Sequence, residues 1–181
     1  MKFKKLKYAL GDSGHCSCKV WMIKKPRGTK NVIEKHSNAP ENSTIFTGFE
    51  TTDYCDSYRI TKLTDDTATQ VMLQFFKLPK WANGLLSLRN LITKPFGLKT
   101  EWGTVFPIID QNGNEVLMGV DDKHLNFRVS VLIDRERSHI CITTAVHYNN
   151  RWGKMYFLII KPFHRIIVHS MIKRLLIQGC E

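Results

Sequence analysis

Alternating apolar and polar residues dominate the second half of the chain and predict an antiparallel sheet. The period of two is cleanest over residues 125–133 and 140–148, and a charged turn at residues 134–137 separates the two stretches. Within the second stretch, one face carries the larger apolar residues. The other face is small apart from its last member, and it consists of Cys141, Thr143, Ala145 and His147.

Further strands are predicted on both sides of a hairpin signal. Residues 102–110 and 115–120 are separated by a segment with Asn112-Gly113 at its centre, a pair typical of tight hairpin turns. Looser alternation predicts an earlier strand over residues 54–61 and a short one over residues 20–23.

Three segments have helical spacing. Thr64 is predicted as the first N-cap because acidic residues follow it, and a second short helix is predicted to begin at Pro79 and to end before Pro95. A long C-terminal helix is predicted after Asn150, with a kink at Pro162, which removes a backbone hydrogen bond. Its predicted apolar stripe is Trp152, Met155, Tyr156, Ile159, Ile160, Phe163, Ile166, Ile167 and Met171.

The order of these elements predicts an α+β fold. Two short helices follow the strand at 54–61, several antiparallel strands come next, and one long helix ends the chain. We expect a curved antiparallel sheet wrapped on the C-terminal helix, an arrangement that often encloses an apolar cavity. The compact domain is predicted to span residues 31–178, with residues 1–30 as a basic and partly flexible N-terminal extension.

The net charge of +11 raises nucleic acid and anionic membranes as possible partners. Residues 1–35 hold ten Lys or Arg against two acids, whereas residues 36–181 hold seventeen against fourteen. The basic segment lacks the interleaved aromatics and the groove-reading helix of a dedicated nucleic-acid binder. We therefore expect a solvated tail, and no strong case for either partner follows.

The five cysteines are scattered and odd in number, which does not suit a disulfide framework. The lysine-rich start lacks the apolar run of a signal peptide, because Gly11-Asp12 interrupts it. We therefore expect a reducing, cytoplasmic setting. The His15-Cys16-Ser17-Cys18 segment lacks the second cysteine pair that a structural zinc site needs, so we expect no metal and no cofactor.

The segment from residue 148 to residue 165, with its Arg151-Trp152-Gly153-Lys154 core, resembles the START-like, or SRPBCC, helix-grip superfamily. Within that superfamily the chain is similar to an uncharacterised bacterial family, some members of which are fused to NAD-dependent epimerase or short-chain dehydrogenase modules. Weaker resemblance lies at residues 54–58, 96–98, 106–107 and 121–128. The resemblance implies a deep apolar cavity and covers roughly residues 31–178. It carries over no catalytic residue, and a separate NAD-dependent dehydrogenase is a possible partner.

No residue set forms a catalytic motif, and His147 is the single acid/base candidate. The competing interpretation of His147 is a structural histidine that makes hydrogen bonds. The aromatic residues likewise suit either a cavity wall or an ordinary core. The residues predicted to contact a ligand are Phe127, Thr143, His147, Tyr148, Trp152, Tyr156 and His164.

The acidic residues that accompany these candidates are predicted to be structural. Asp53 and Asp56 form one group, and Asp121 and Asp122 form another, each beside a turn or a strand end where Asp makes local hydrogen bonds. Arg128 is expected to pair with one of the acids in the second group.

Three functions remain open at this stage. The first is binding of a small apolar or amphipathic molecule without catalysis. The second is a cyclase- or dehydratase-like enzyme that acts on a polyketide-like or aromatic substrate, with His147 as the acid/base and Tyr148 or His164 as its helper. The third is binding of nucleic acid or membrane through the basic N-terminus.

Overall fold

The computed structural model describes residues 19–23, 31–49, 51–62, 64–77 and 106–178 of the 181-residue chain. Within these ranges the strands are β1 (Lys19–Ile23), β2 (Asn31–His36), β3 (Tyr54–Thr61), β4 (Ile108–Gln111), β5 (Glu115–Asp121), β6 (Leu125–Asp134) and β7 (His139–Tyr148). They form one open sheet in the order β1-β2-β3-β7-β6-β5-β4, and each neighbouring pair is antiparallel. The predicted sheet is therefore confirmed.

The hairpin between β4 and β5 depends on one asparagine. The backbone N–H of Asn112 donates to the carbonyl oxygen of Glu115 at 2.8 Å. The Asn112 side-chain oxygen accepts from the backbone N–H groups of Asn114, at 2.9 Å, and of Glu115, at 2.8 Å. The side chain thus satisfies turn donors that the ladder leaves unpaired, as Asn commonly does in turns.

Helix α1 (Ala68–Phe75) begins at a capping box. The hydroxyl of Thr67 accepts from the backbone N–H of Gln70 at 3.3 Å, and the Gln70 side chain accepts from the backbone N–H of Thr67 at 2.8 Å. The predicted N-cap, Thr64, was wrong, because its hydroxyl instead accepts from the backbone N–H of Asp66 in the turn before the helix.

Helix α2 (Arg151–Gln178) begins where the sequence predicts. The Asn150 side-chain oxygen accepts from the backbone N–H of Gly153 at 3.0 Å, which makes Asn150 the N-cap. Gly153 packs so closely on the backbone of His124 that any larger residue would collide with it. This contact holds the start of α2 against the β5–β6 turn. Pro162 lies inside the helix, as predicted.

One face of the sheet packs on both helices. Helix α1 contacts β5, β6 and α2, and α2 contacts β7. The buried centre of this layer is formed by aliphatic residues from all of these elements. They include Ile33, Ile60, Val71, Met72, Val116, Met118, Val131, Ile142, Ile172 and Leu175.

The predicted apolar stripe of α2 is right only near the C-terminal end of the helix. Met171 is 4% exposed and belongs to the core. Nearer the N-terminus the packed position is Phe157, whereas Trp152, Met155 and Ile159 are exposed. This half of α2 is apolar on several sides, so helical periodicity alone does not select the packed side.

The segment of residues 37–49 lies on the other face of the sheet. Ile45 is fully buried there against Leu117 and Ala145. Glu115, 2% exposed, anchors the segment through donors from three neighbouring residues. It accepts hydrogen bonds from the Ser43 hydroxyl at 2.6 Å, from the Thr44 backbone N–H at 2.9 Å, from the Thr44 hydroxyl at 3.0 Å and from the Ser130 hydroxyl.

Most of the predicted elements coincide with observed ones. The strand predicted at residues 54–61 is β3, and the short strand predicted at 20–23 is β1, which joins the sheet through β2. Of the strand predicted over 102–110, the described part is Ile108–Gln111, and residues 102–105 lie outside the described residues. The second short helix, predicted after Pro79, lies outside the described residues. The α+β class with a helix-grip-like arrangement is confirmed, and the domain boundary at residue 31 stays a prediction.

Candidate ligand-binding site

Strand β3 places a charged residue between two tyrosines on its helix-facing side. Side chains alternate along a strand, so Tyr54, Asp56 and Tyr58 share one face, and Tyr58 belongs to the core beneath the helices. Lys35 lies opposite Tyr58 in the β2–β3 register, which brings it to the same face. We call Lys35, Tyr54, Asp56, Tyr58 and His164 of α2 the interior polar cluster.

One oxygen of the Asp56 carboxylate is fully engaged. Asp56 is 2% exposed, and its Oδ2 accepts from the Tyr54 hydroxyl at 2.8 Å and from the Lys35 ammonium at 3.2 Å. The Lys35 Nζ also donates to the Tyr58 hydroxyl at 3.1 Å. Tyr54 and Lys35 thus bind the buried negative charge directly, and Tyr58 is linked to it through Lys35.

The second oxygen of Asp56 faces His164 without a hydrogen bond. The distance from Asp56 Oδ1 to His164 Nε2 is 3.9 Å, which is too long for a hydrogen bond. Both atoms are buried, and neither has a hydrogen-bond partner among the described residues. A buried unpaired polar atom costs about 1–3 kcal/mol, so two that face each other need an explanation.

Electrostatics keep Asp56 ionised and the two tyrosines neutral. Burial raises the pKa of Asp56, but the facing His164, the Lys35 ammonium and the Tyr54 hydroxyl together lower it more, to about 2. Burial and the Asp56 charge raise the pKa values of Tyr54 and Tyr58 well above their usual range. At neutral pH the carboxylate is thus a fixed acceptor, and the two phenols retain their protons.

Basic side chains of α2 lie beside the interior polar cluster. The Lys161 Nζ is 4.6 Å from the centroid of the Tyr54 ring. Interaction with the Tyr54 hydroxyl and with the Asp56 charge raises the pKa of Arg165. Burial and nearby lysine charges lower the pKa of His169. The surroundings of the buried carboxylate are therefore positively charged.

Aromatic rings adjoin Tyr54 at the end of the sheet. The Phe157 ring centroid lies 4.8 Å from that of Tyr54 and 5.6 Å from that of Tyr148. Phe127 packs on the same cluster, with its ring centroid 4.9 Å from that of Phe106. We call Phe106, Phe127, Tyr148 and Phe157 the aromatic wall. Three of its members are only partly buried, so the wall reaches the surface.

The structure brings three of the seven predicted ligand-contacting residues into this region. Phe127 and Tyr148 belong to the aromatic wall, and His164 belongs to the interior polar cluster. Tyr156 is half-buried, and Trp152 is 54% exposed on the outer side of α2.

The other two predicted residues lie on the opposite face of the sheet. The Thr143 hydroxyl is 2.8 Å from that of Ser57. His147 Nδ1 lies 3.0 Å from a carboxylate oxygen of Asp53 and 3.1 Å from the Thr51 hydroxyl. His147 is therefore held by strand-end residues and does not point towards α2.

The composition of β7 explains this separation. The helices pack on the face with the β-branched residues Ile140 and Ile142, which fill a core well. The small-residue face, which includes Ala145, is instead covered by residues 37–49. Thr143 and His147 therefore lie on the face opposite to His164, and their contact with a ligand stays a prediction.

A second candidate site is an open cleft of about 400 Å³ at the start of β3. Its lining includes Ala39, Phe46, Asp53 and Cys55. Burial and the neighbouring Asp56 charge raise the pKa of the Cys55 thiol to about 11, so the thiol is protonated at neutral pH and is a poor nucleophile. The cleft is the weaker of the two candidate sites.

Sequence reasoning missed most of the interior polar cluster. Asp56 was expected in a solvated turn beside Asp53, and this was wrong, because Asp56 is buried and paired with Lys35. The signal was present in the alternation of residues 54–58, which puts one acid between two tyrosines on a single face. The contact with Lys35 depends on strand register, which no pattern in the chain specifies.

The second predicted acidic group is structural, as expected. Arg128, 5% exposed, forms an ion pair with Asp121 at 2.7 Å, so the expected pairing is confirmed. The Asp122 carboxylate accepts from the backbone N–H of His124 at 3.1 Å, a local turn contact.

The described ranges contain neither a cluster of metal ligands nor a helix able to span a membrane. No three His, Cys, Asp or Glu side chains there converge as the ligands of a metal ion would. The segment of residues 15–18, considered above for zinc, lies outside those ranges. None of the described helices combines the length and the apolar composition needed to cross a bilayer.

Comparison with known proteins identifies a family. A family model described as "Protein of unknown function (DUF2867)" matches residues 49–171, a span that includes Asp56, His164 and the aromatic wall. No curated protein and no solved structure matches the chain. Because the match covers more than half of its length, the chain belongs to the DUF2867 family of proteins of unknown function.

Proposed function

We propose that this domain binds a small amphipathic molecule between the sheet and α2. The ligand places a hydroxyl group at the interior polar cluster and its apolar part against the aromatic wall. The observation that carries this proposal is the pair of buried, unpaired atoms, Asp56 Oδ1 and His164 Nε2, at 3.9 Å from each other.

The chemistry of the two atoms selects a hydroxyl. Asp56 Oδ1 belongs to an ionised carboxylate, so it only accepts hydrogen bonds, whereas His164 Nε2 donates when that nitrogen carries a proton. An alcohol or phenol donates to the first atom and accepts from the second at once. A methyl ether has no proton to donate, and an anionic group would be repelled by Asp56. The adjoining aromatic rings suit a flat or extended apolar body.

The electrostatics of the cluster favour binding over catalysis. A general acid or base works best when its pKa lies near the working pH. The pKa of Asp56 is about 2, and the pKa values of Tyr54 and Tyr58 are raised far above neutrality. The cyclase- or dehydratase-like alternative relied on His147, which lies on the other face of the sheet, against Asp53.

The test uses a naphthol and its methyl ether as matched probes in isothermal titration calorimetry with the full-length chain. We expect the naphthol to bind about tenfold more tightly, since a hydrogen bond to a charged group contributes about 1.5–3 kcal/mol. In His164→Leu both probes should bind more weakly, because each probe oxygen accepts from His164 Nε2, whereas the preference for the naphthol, which depends on the proton donated to Asp56, should persist. The control is His147→Leu, which removes the same ring from the opposite face and should leave both affinities unchanged.

Three results would count against the proposal. Equal affinity for the two probes would exclude the hydroxyl contact. Weaker binding in His147→Leu alone would place the ligand on the other face of the sheet. Absence of binding by either probe, together with no small molecule retained in native mass spectrometry of the purified protein, would exclude a ligand-binding role.

Three finer assignments are also proposals. Membership of the START-like superfamily is supported by an antiparallel sheet with a long C-terminal helix. A cytoplasmic setting is supported by the thiols of Cys55 and Cys141, which are not in disulfides. Partnership with a separate NAD-dependent dehydrogenase is supported only by the resemblance of the sequence, and co-purification of the two proteins would test it.

A further inference from the structure

The outer side of α2 carries exposed apolar side chains over its N-terminal half. The exposed fractions are 54% for Trp152, 53% for Met155, 57% for Leu158, 45% for Ile159 and 55% for Ile166. The positions recur at three- and four-residue intervals, or at seven, so they lie on neighbouring parts of one helix side. We call these five residues the outer stripe.

Basic residues run alongside the outer stripe. Arg151 and Lys154 are both exposed and project from the adjacent part of the helix surface. Over its whole length α2 contains six Lys or Arg residues and no Asp or Glu. The exposed apolar surface is therefore bordered by charge of one sign.

The buried side of α2 is opposite the outer stripe. Helix α2 already packs on the sheet and on α1 through its opposite side, where Phe157, Val168 and Ile172 are buried. Single exposed apolar residues are common on protein surfaces, but a contiguous group of large ones marks an interaction surface.

We propose that the outer stripe docks on an anionic lipid surface. Helix α2 lies in the plane of the interface, with Met155, Ile159 and Ile166 inserted at the boundary of the acyl chains and the basic residues against the anionic head groups. Trp152 suits the head-group level, where amphipathic aromatic rings accumulate.

Charge distinguishes this occupant from a second copy of the chain. Two α2 helices packed through their outer stripes would bring Arg151 and Lys154 of each helix close to those of the other. Neither helix has an acid to pair with them, so the contact would be repulsive. An anionic bilayer offers the complementary charge.

The test is co-sedimentation of the full-length chain with two kinds of vesicle, one of phosphatidylcholine alone and one of equal parts phosphatidylcholine and phosphatidylserine. We expect binding to the anionic vesicles only, decreasing as salt is added. Ile159→Glu should weaken this binding about tenfold, because it replaces an inserted apolar group by a charge that anionic lipid repels. Leu73→Glu is the matched control, since Leu73 on α1 is 52% exposed and the charge change is identical.

Both variants retain the basic N-terminal segment, so a difference between them reports on α2. Equal binding by Ile159→Glu and Leu73→Glu would overturn the proposal, as would equal binding of the wild type to neutral and anionic vesicles. Light scattering that shows a wild-type dimer and an Ile159→Glu monomer would also overturn it, because a second copy would then cover the outer stripe.

Discussion

Among the described residues, each face of the sheet buries one carboxylate, and the two carboxylates differ in the hydrogen bonds that they accept. Asp56 on the helix face and Glu115 on the face covered by residues 37–49 are both 2% exposed. Glu115 accepts four hydrogen bonds from hydroxyl and backbone donors, spread over both of its oxygens. Asp56 accepts two, both on one oxygen, and one of them comes from the charged Lys35.

The difference separates a structural acid from one that is open to a ligand. Three donors from Ser43 and Thr44 fix the segment of residues 37–49 onto Glu115, Ser130 of β6 supplies the fourth, and no acceptor capacity is directed elsewhere. Asp56 retains one buried oxygen that faces His164 across 3.9 Å. Partly satisfied buried groups weaken a fold, so their presence is easier to explain at a binding site than in a structural core.

The largest loss of stability is expected at Glu115, where both carboxylate oxygens accept hydrogen bonds. Glu115→Leu removes the acceptor of four buried or half-buried donors, and we expect it to lower the free energy of unfolding by about 3 kcal/mol. Urea denaturation followed by circular dichroism measures this quantity. The control is Glu136→Leu, the same substitution at an exposed turn position, which should change stability by less than about 0.5 kcal/mol.

Glu115→Gln tests the same prediction with a smaller chemical change. In Glu115→Gln the amide oxygen can still accept from the Thr44 backbone N–H, and the hydroxyls of Ser43 and Ser130 can rotate to accept from the amide nitrogen. We therefore expect a smaller loss, about 1 kcal/mol. If Glu115→Gln and Glu115→Leu were equally destabilising, charge and not donor saturation would explain the burial of Glu115.

The next largest effect is the pH dependence of stability that Asp56 contributes. The folded-state pKa of Asp56, about 2, is lower than its unfolded value, so the ionised carboxylate stabilises the fold above about pH 4. This contribution, about 2 kcal/mol, is lost as the pH falls from about 4 through 2. We expect the stability of the wild type to fall by that amount relative to Asp56→Asn over this range. Parallel curves for the two proteins would mean that the folded-state pKa of Asp56 is not lowered.

The asymmetry between the faces also shows where sequence reasoning succeeds. Strand β3 and the Asn112 hairpin follow from local features, namely a period of two and a turn residue that satisfies its own backbone. The side of α2 that packs does not follow, because the helix is apolar on several sides and the tertiary contact selects Phe157 over Ile159.

The candidate site was predicted only in part for a related reason. His164 was identified from its chemistry, but its partner Asp56 was assigned to a turn because neighbouring acids are usually solvated. The pairing with Lys35 is set by the register between β2 and β3, which the local sequence pattern does not specify. Local sequence indicates which residues are reactive, whereas the fold decides which of them meet.

A smaller loss of stability is expected when one of the donors to Asp56 Oδ2 is removed. Tyr54→Phe removes one of its two donors and keeps the ring that packs on Phe157, so we expect a loss of about 1 kcal/mol in urea denaturation and a rise in the pKa of Asp56. Ser130→Ala removes one of the four donors to Glu115 and is the matched change on the other face. It should cost less than Tyr54→Phe, since three donors remain, and the opposite ranking would contradict the contrast between the two acids.

The smallest change in stability is expected where the two unpaired atoms face each other. His164→Leu removes no hydrogen bond to Asp56, and it also removes a buried nitrogen that has no hydrogen-bond partner among the described residues. The pKa of Asp56, followed by carboxyl carbon NMR, should rise because the interaction with His164 that lowers it is lost. This rise costs stability and removal of the unpartnered nitrogen offsets the cost, so we expect urea denaturation to show a net change within about 0.5 kcal/mol. The same substitution is expected to weaken the binding of both the naphthol and its methyl ether. A residue whose loss leaves stability unchanged and weakens binding serves the ligand, whereas a loss of stability above about 1.5 kcal/mol would show that His164 is part of the structural core.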